Sequence, residues 1–299
     1  MEVTTPPMSI AEDICFKLSR RRVLARRTGD AGENAATFDP AVYRAWRAAE
    51  LKKQFDESFA GEPIAGLDVL DLGCGEGELS HLAAALGAKS VTGVDVMAER
   101  IASARAREPA KGAVRPVFKV AEDTLRIPLG DRSVDLILCF DVLEHILEID
   151  AVVAEWTRVL RPGGRVFIWW VPWYHPYGHH IEALVPLPWA HVLFSDRTLL
   201  GACARVYDMP EFKPRLWDLD DHGKKKPNKW TAMRELPDVN KLTVSRFESI
   251  LERVGLKIEE RRARGFAGGT LARFTHFFTR LPILREFFTA YVTYKLRLP

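Results

Sequence analysis

Cysteine is scarce and scattered. The chain has four, Cys15, Cys74, Cys139 and Cys203, with no paired spacing, which argues against a disulfide framework and for reduced thiols in a cytoplasmic protein. No stretch approaches the ~18 apolar residues that a membrane-spanning helix needs. The first residues carry Glu2, Glu12 and Asp13 and no continuous apolar segment, so no secretory leader is expected. Charge of one sign is nearly absent as a surplus: the net charge is +3 and the pI about 8.6, far from the strongly basic balance of a nucleic-acid protein, and a nucleic-acid partner is not expected. Across its 299 residues, 47% are hydrophobic and 28% charged, enough to fill the core of one globular domain with embellishments.

Around residues 69–80, VLDLGCGEGELS, the rest of the chain is organised. A short apolar run enters Gly73, Gly75 and Gly77, and a helix-compatible segment follows at once. Glycines suit a place where the backbone bends sharply and a ligand approaches where a Cβ would collide. The spacing Gly-x-Gly-x-Gly is not the dinucleotide pattern Gly-x-Gly-x-x-Gly. Asp71, inside the strand, suits a ligand bearing an amino group or a cation better than one bearing a pyrophosphate. About 20 residues on, SVTGVD ends in Asp95, where a ribose diol can be held. VFKVAED ends a third strand in Glu122 and Asp123, and VDLILCFDVLEHI supplies a fourth.

With acids at successive strand ends, residues 67–170 resemble a class I S-adenosylmethionine-dependent methyltransferase of the ubiquinone-biosynthesis O-methyltransferase-like group. The resemblance implies that Asp71, Gly73 and Gly75 line the methionine moiety of S-adenosylmethionine and that Asp95 takes the ribose hydroxyls. Met97 would pack on the adenine, Asp123 would accept from its amino group beside the Thr124 backbone, and Phe140 would lie near the sulfonium. The expected fold is α/β: a Rossmann-like, seven-stranded, mostly parallel sheet with helices on both faces, closed by an antiparallel seventh strand.

Residues 1–60 read as an N-terminal helical arm, with one helix over 10–27, a linker rich in Gly, Asn and Ala, and a second helix over 38–59. Its stripe of Tyr43, Trp46, Leu51 and Phe55 suits either a cover over the cofactor or packing against the sheet. Residues 61–299 form the expected methyltransferase domain, with an insertion over about 171–240. Strand and helix alternate from 67 onward, which argues for a parallel sheet. Helices are expected over 77–86, 97–107, 149–160 and 243–254, the last with Thr243 as its cap and Gly255 as its stop. Pro162-Gly163-Gly164 should turn the chain into a fifth strand. The charge run over 217–230 suits a solvated loop or a lid, the Arg20 to Arg27 cluster a solvated helix face or contact with an acidic surface, and the Phe-rich 266–288 segment a buried helix, a pocket wall or a membrane surface.

After the fourth strand come Asp141, Glu144 and His145, spaced i, i+3 and i+4, which on a helical turn share a face. Two carboxylates and an imidazole could hold Mg²⁺, Mn²⁺, Fe²⁺ or Zn²⁺, and the set resembles the acid-x-x-Glu-His motif of metal-assisted relatives. His175, His179, His180 and His191 cluster just after the fifth strand. The resemblance implies that His179 or His180 completes a coordination sphere; otherwise His145, Glu144 or His180 serves as an acid or base on the acceptor. The expected activity is O-methylation of a small or lipid-like hydroxylated substrate. C-methylation and a non-catalytic S-adenosylmethionine-binding scaffold stand as alternatives.

Overall fold

Runs such as LILCF (residues 136–140) are apolar and buried at every position, as strands covered on both faces must be. The computed structural model describes residues 9–26, 39–122, 124–236, 239–266, 275–282 and 284–299, and in it these runs form one seven-stranded sheet. In chain order the elements are helices α1 (Ile10–Arg26) and α2 (Pro40–Phe59), then β1 (Asp68–Leu72), α3 (Glu78–Ala85), β2 (Ser90–Asp95), α4 (Ala98–Arg105), β3 (Val117–Val120) and β4 (Val134–Phe140). They continue with α5 (Ile149–Val159), β5 (Leu160–Trp170), α6 (Asp196–Tyr207), α7 (Val244–Val254), β6 (Lys257–Gly265) and β7 (Thr289–Arg297). By internal packing the chain divides into two units. Arg47–Trp173 with Asn240–Pro299 make a sheet unit, and Met1–Trp46 with Tyr174–Val239 an insertion unit; the first boundary falls within α2.

Strand order in the sheet unit is β3-β2-β1-β4-β5-β7-β6. The first five strands are parallel, and β7 runs antiparallel to both neighbours. Order reverses between β1 and β4, and a crevice at the carboxyl ends of such strands is where open α/β sheets bind ligands. On one face, α5 and α7 bury Trp156 and Phe247 against Trp170, Ile168 and Tyr294. On the other, Leu51, Phe55 and Phe59 of α2 and Leu79 and Ala83 of α3 pack on Leu136, Leu138, Phe140 and Phe167. The distal half of α2 is thus core, each large side chain contributing roughly 1.5–3 kcal/mol.

Chain punctuation follows the sequence closely. Thr243 Oγ1 accepts from the Arg246 amide at 3.1 Å to cap α7, and Gly255, at φ +80°, ends it. Glu286 accepts from the Val244 and Ser245 amides at 3.0 and 2.9 Å, placing an anion at the positive end of α7. At Pro162-Gly163-Gly164 pairing with β4 has already begun at Leu160, and the turn is absorbed as an irregularity before it resumes at Arg165.

In the insertion unit, α1 packs on α6: Cys15 and Ser19 are fully buried, and Arg205 pairs with Asp13 at 3.2 Å. Tyr43 and Trp46 form an aromatic group with Trp217, rings 5.8 and 6.4 Å from Tyr43. The 217–230 charge run is ordered by Asp220, whose carboxylate accepts from the His222 and Lys224 amides. All four cysteines are unpaired and buried. No described helix is long and apolar enough to cross a membrane. Much of the 266–288 segment lies outside the described residues.

Candidate active site at the carboxyl ends of β1, β2 and β4

β1 delivers the chain into its glycine turn, and β2 fixes that turn in place. The Gly73 and Cys74 amides donate to the Val94 carbonyl at 2.8 and 3.0 Å, and the Gly75 amide donates to Asp95 Oδ2 at 2.9 Å. At Gly73, φ is +71° and an added Cβ would come within 2.3 Å of the Val142 side chain. Gly75, at φ +53°, has open space where its Cβ would be. The turn is therefore tight against the β4 side and open at Gly75, a cradle that a side chain would fill.

Asp95 Oδ1 also accepts from the Met97 amide, at 2.9 Å. This one buried carboxylate ties the turn to the start of α4, and each oxygen keeps a lone pair for a hydroxyl. Met97 is partly exposed beside it. Asp71 lies deeper, accepting from Ser80 Oγ at 2.6 Å and so joining β1 to α3. Burial is the main cause that pushes its carboxyl up to about 7. Thr124 is exposed, and Asp123 lies outside the described residues. Phe140 is buried, its ring 5.4 Å from Phe59 and 6.3 Å from Phe55.

Past Phe140 the backbone turns abruptly. Asp141 takes φ +58°, its amide donates to the Trp169 carbonyl at 2.9 Å, and residues 143–145 wind as a single 3₁₀ turn. Arg47 of α2 reaches Asp141 Oδ2 at 2.6 Å. Asn240 staples the turn: its side chain donates to the Leu143 and Ile146 carbonyls at 2.6 and 2.8 Å, and its amide to that of Glu144 at 2.9 Å.

Residues 70–168 match the family model described as "Methyltransferase domain". Curated relatives named ubiquinone biosynthesis O-methyltransferase include those of Pseudomonas aeruginosa, 32% identical over 143 residues, and Rhizobium rhizogenes, 33% identical over 127. These matches cover 44% and 41% of this chain and only 60% and 50% of the relatives' own length. Residues 70–168 are a methyltransferase domain. Its fold is shared with an S-adenosylmethionine-dependent methyltransferase of Mesorhizobium loti, at a TM-score of 0.50 and 21% identity over 82% of this chain and 97% of that one. A Listeria monocytogenes structure described as a putative enzyme of the same kind also gives 0.50, at 15% identity over 84% and 99%.

Within this methyltransferase domain the expected metal ligands do not form a set. Asp141, Glu144 and His145 do not share a face, because the chain makes a left-handed step and a 3₁₀ turn in place of an α-helical one. Glu144 is buried and His145 exposed. The Glu144 Oε2 has no hydrogen-bond partner among the described residues, and burial, aided by the charge of Asp141, holds its carboxyl well above the usual range. Asp141 already faces a guanidinium. Among the described residues no three His, Cys, Asp or Glu side chains gather so as to hold a metal ion.

The insertion histidines shape their own loop. His179 Nδ1 accepts from the Ile181 amide at 3.2 Å, which leaves the proton on Nε2 to donate to the Leu187 carbonyl at 3.3 Å. His175 Nδ1 accepts from the Tyr177 amide at 3.1 Å. Burial lowers both imidazoles to about 4, and His191 lies 5.2 Å from His179, ring to ring. His180 is exposed, in the left-handed region at φ +55°. Two residues that build the site, Arg47 and Asn240, lie outside every motif. Arg47 had one signal: it stands four residues before Leu51 and eight before Phe55, a cation in the line of the core stripe.

Proposed function

We propose that the protein is an S-adenosylmethionine-dependent methyltransferase, acting in the cytoplasm on a hydroxyl of a small or lipid-like acceptor. The observation that carries this is the joint hold of Asp95 on the Gly75 and Met97 amides, beside a cradle left open at Gly75. A cofactor carrying a ribose diol and a compact amino-acid tail fits those groups: Asp95 would accept from the ribose, Met97 would offer apolar surface to the base, and the Gly73–Gly75 backbone would take the tail. The bound cofactor supplies an activated methyl group on a sulfonium. The protein must then orient the acceptor and remove its proton. Asp141, fixed by Arg47 at the end of β4, and the exposed His145 are the polar groups suited to this, His145 as the proton acceptor. The O-methyltransferase names of the relatives support a hydroxyl acceptor. No metal-assisted step is drawn, because the residues do not fit one.

Calorimetric titration with S-adenosylhomocysteine tests this reading. About one equivalent should bind, and Asp95→Ala should weaken binding by roughly 10- to 100-fold, the worth of hydrogen bonds to a charged acceptor. Absence of binding to a folded wild-type protein would overturn it.

A further inference from the structure

Among the described residues, helix α1 is packed along one side and exposed along another. Its inner side is fixed in the insertion unit by buried Cys15 and Ser19, by the Asp13–Arg205 pair, and by the Arg205 guanidinium 3.7 Å above the Phe16 ring. Its outer side carries Ile10, Ile14 and Leu18, which are 82%, 47% and 48% exposed. Spaced i, i+4 and i+8, they form one stripe about 12 Å long. The row is a contiguous apolar stripe at the surface rather than scattered single side chains.

The charge of the same helix is one-sided. Glu12 and Asp13 lie in its first turn, whereas from Lys17 to Arg26 there are five Lys or Arg and no acid. Asp13 is engaged by Lys17 and Arg205. Arg20 and Arg21 are exposed. Apolar side chains flanked by cations on one surface helix suit an interface where hydrocarbon and anionic headgroups meet. A second copy of the chain fits less well. Three side chains fall far short of the ~800 Å² per partner of a stable interface.

We propose that α1 docks this protein on an anionic lipid bilayer, with Ile10, Ile14 and Leu18 entering the interface and Arg20 and Arg21 meeting lipid phosphates. The contact is peripheral and salt-sensitive. It is independent of the reading of the active site.

Flotation of the full chain with vesicles tests this, using phosphatidylcholine containing phosphatidylglycerol against pure phosphatidylcholine. The wild type should float with the anionic vesicles and largely stay behind with the neutral ones, and added salt should release it. Ile14→Ser/Leu18→Ser and, separately, Arg20→Glu/Arg21→Glu should each lower the apparent affinity about tenfold or more. All four substituted positions are exposed, and unchanged circular dichroism and thermal midpoint would show that the variants fold. Failure of the wild type to float with anionic vesicles, or equal flotation of folded variants, would overturn the proposal. So would a dimer in solution that Ile14→Ser/Leu18→Ser converts to monomer, since the stripe would then belong to a second copy.

Discussion

Two carboxyls of the sheet unit are withdrawn from water at the strand ends, Asp71 beneath the glycine turn and Glu144 in the turn after β4. Two imidazoles of the insertion unit, His175 and His179, are withdrawn likewise. Desolvation favours the uncharged form of these four groups, the carboxyls by holding a proton and the imidazoles by refusing one. The carboxyls lie where ligands bind in this fold. The imidazoles are spent on loop hydrogen bonds, so a dense histidine cluster in a sequence can be a structural device.

The largest contrast should appear in the glycine turns. Gly73 in the sheet unit and Gly223 in the insertion unit share φ +71°, but a Cβ at Gly73 would meet Val142 at 2.3 Å while one at Gly223 would meet nothing within 4 Å. Gly73→Ala should cost about 3 kcal/mol or more, the sum of overpacking and left-handed strain. Gly223→Ala should cost only the strain, roughly 1–2 kcal/mol. Urea midpoints compare them directly, and equal losses would mean that Val142 yields freely.

The opposed protonation states should give opposed pH responses. An unfolded Asp releases its proton near pH ~4, whereas Asp71 holds it to about 7. Across that window the native state binds more protons, so its stability falls as pH rises, by up to about 4 kcal/mol from this group. An unfolded His takes up its proton near pH ~6.5, whereas His175 and His179 resist until about 4. Here the unfolded state binds more protons, so stability falls as pH falls through that window, by up to about 3 kcal/mol for each. Hydrogen-exchange protection at pH about 5 and about 8 should therefore change in opposite directions in residues 68–95 and 174–191. Asp71→Asn should flatten the first response and His175→Gln should roughly halve the second, His179 carrying the rest. A shift of both segments in the same direction would break the comparison.

Much of the sheet unit is legible in the sequence because its signals are local. Apolar runs ending in acids mark β1 and β2, and Thr243 and Gly255 bracket α7. The loss of a shared face for Asp141, Glu144 and His145 was not legible, because i, i+3, i+4 spacing speaks only if the turn is α-helical. What sets the turn is distant: Asn240 binds three of its carbonyls from almost 100 residues away. Arg47 likewise gains meaning only once α2 lies on the sheet. The resemblance makes His179 a ligand, and its two ring nitrogens serve amide and carbonyl groups of its own loop. The carbonyl partner, Leu187, is eight residues on and has no sequence signature.

The smallest contrast tests whether the two units differ in ordinary helix chemistry. Thr243 caps α7 in the sheet unit at 3.1 Å, and Ser195 caps α6 in the insertion unit through the Thr198 amide at 3.3 Å. Either replacement by Ala removes one acceptor from the first turn and should cost about 1 kcal/mol. In α7 Glu286 still accepts from two other first-turn amides, those of Val244 and Ser245, whereas Ser195 Oγ also pairs with Thr198 Oγ1 at 3.1 Å and takes that contact with it when removed. Thr243→Ala should therefore fall at the low end of the range and Ser195→Ala at the high end, read as the difference between their thermal midpoints. A larger loss at Thr243 would mean that the Glu286 carboxylate does not substitute for the cap, and that the anion at α7 acts only through the helix dipole.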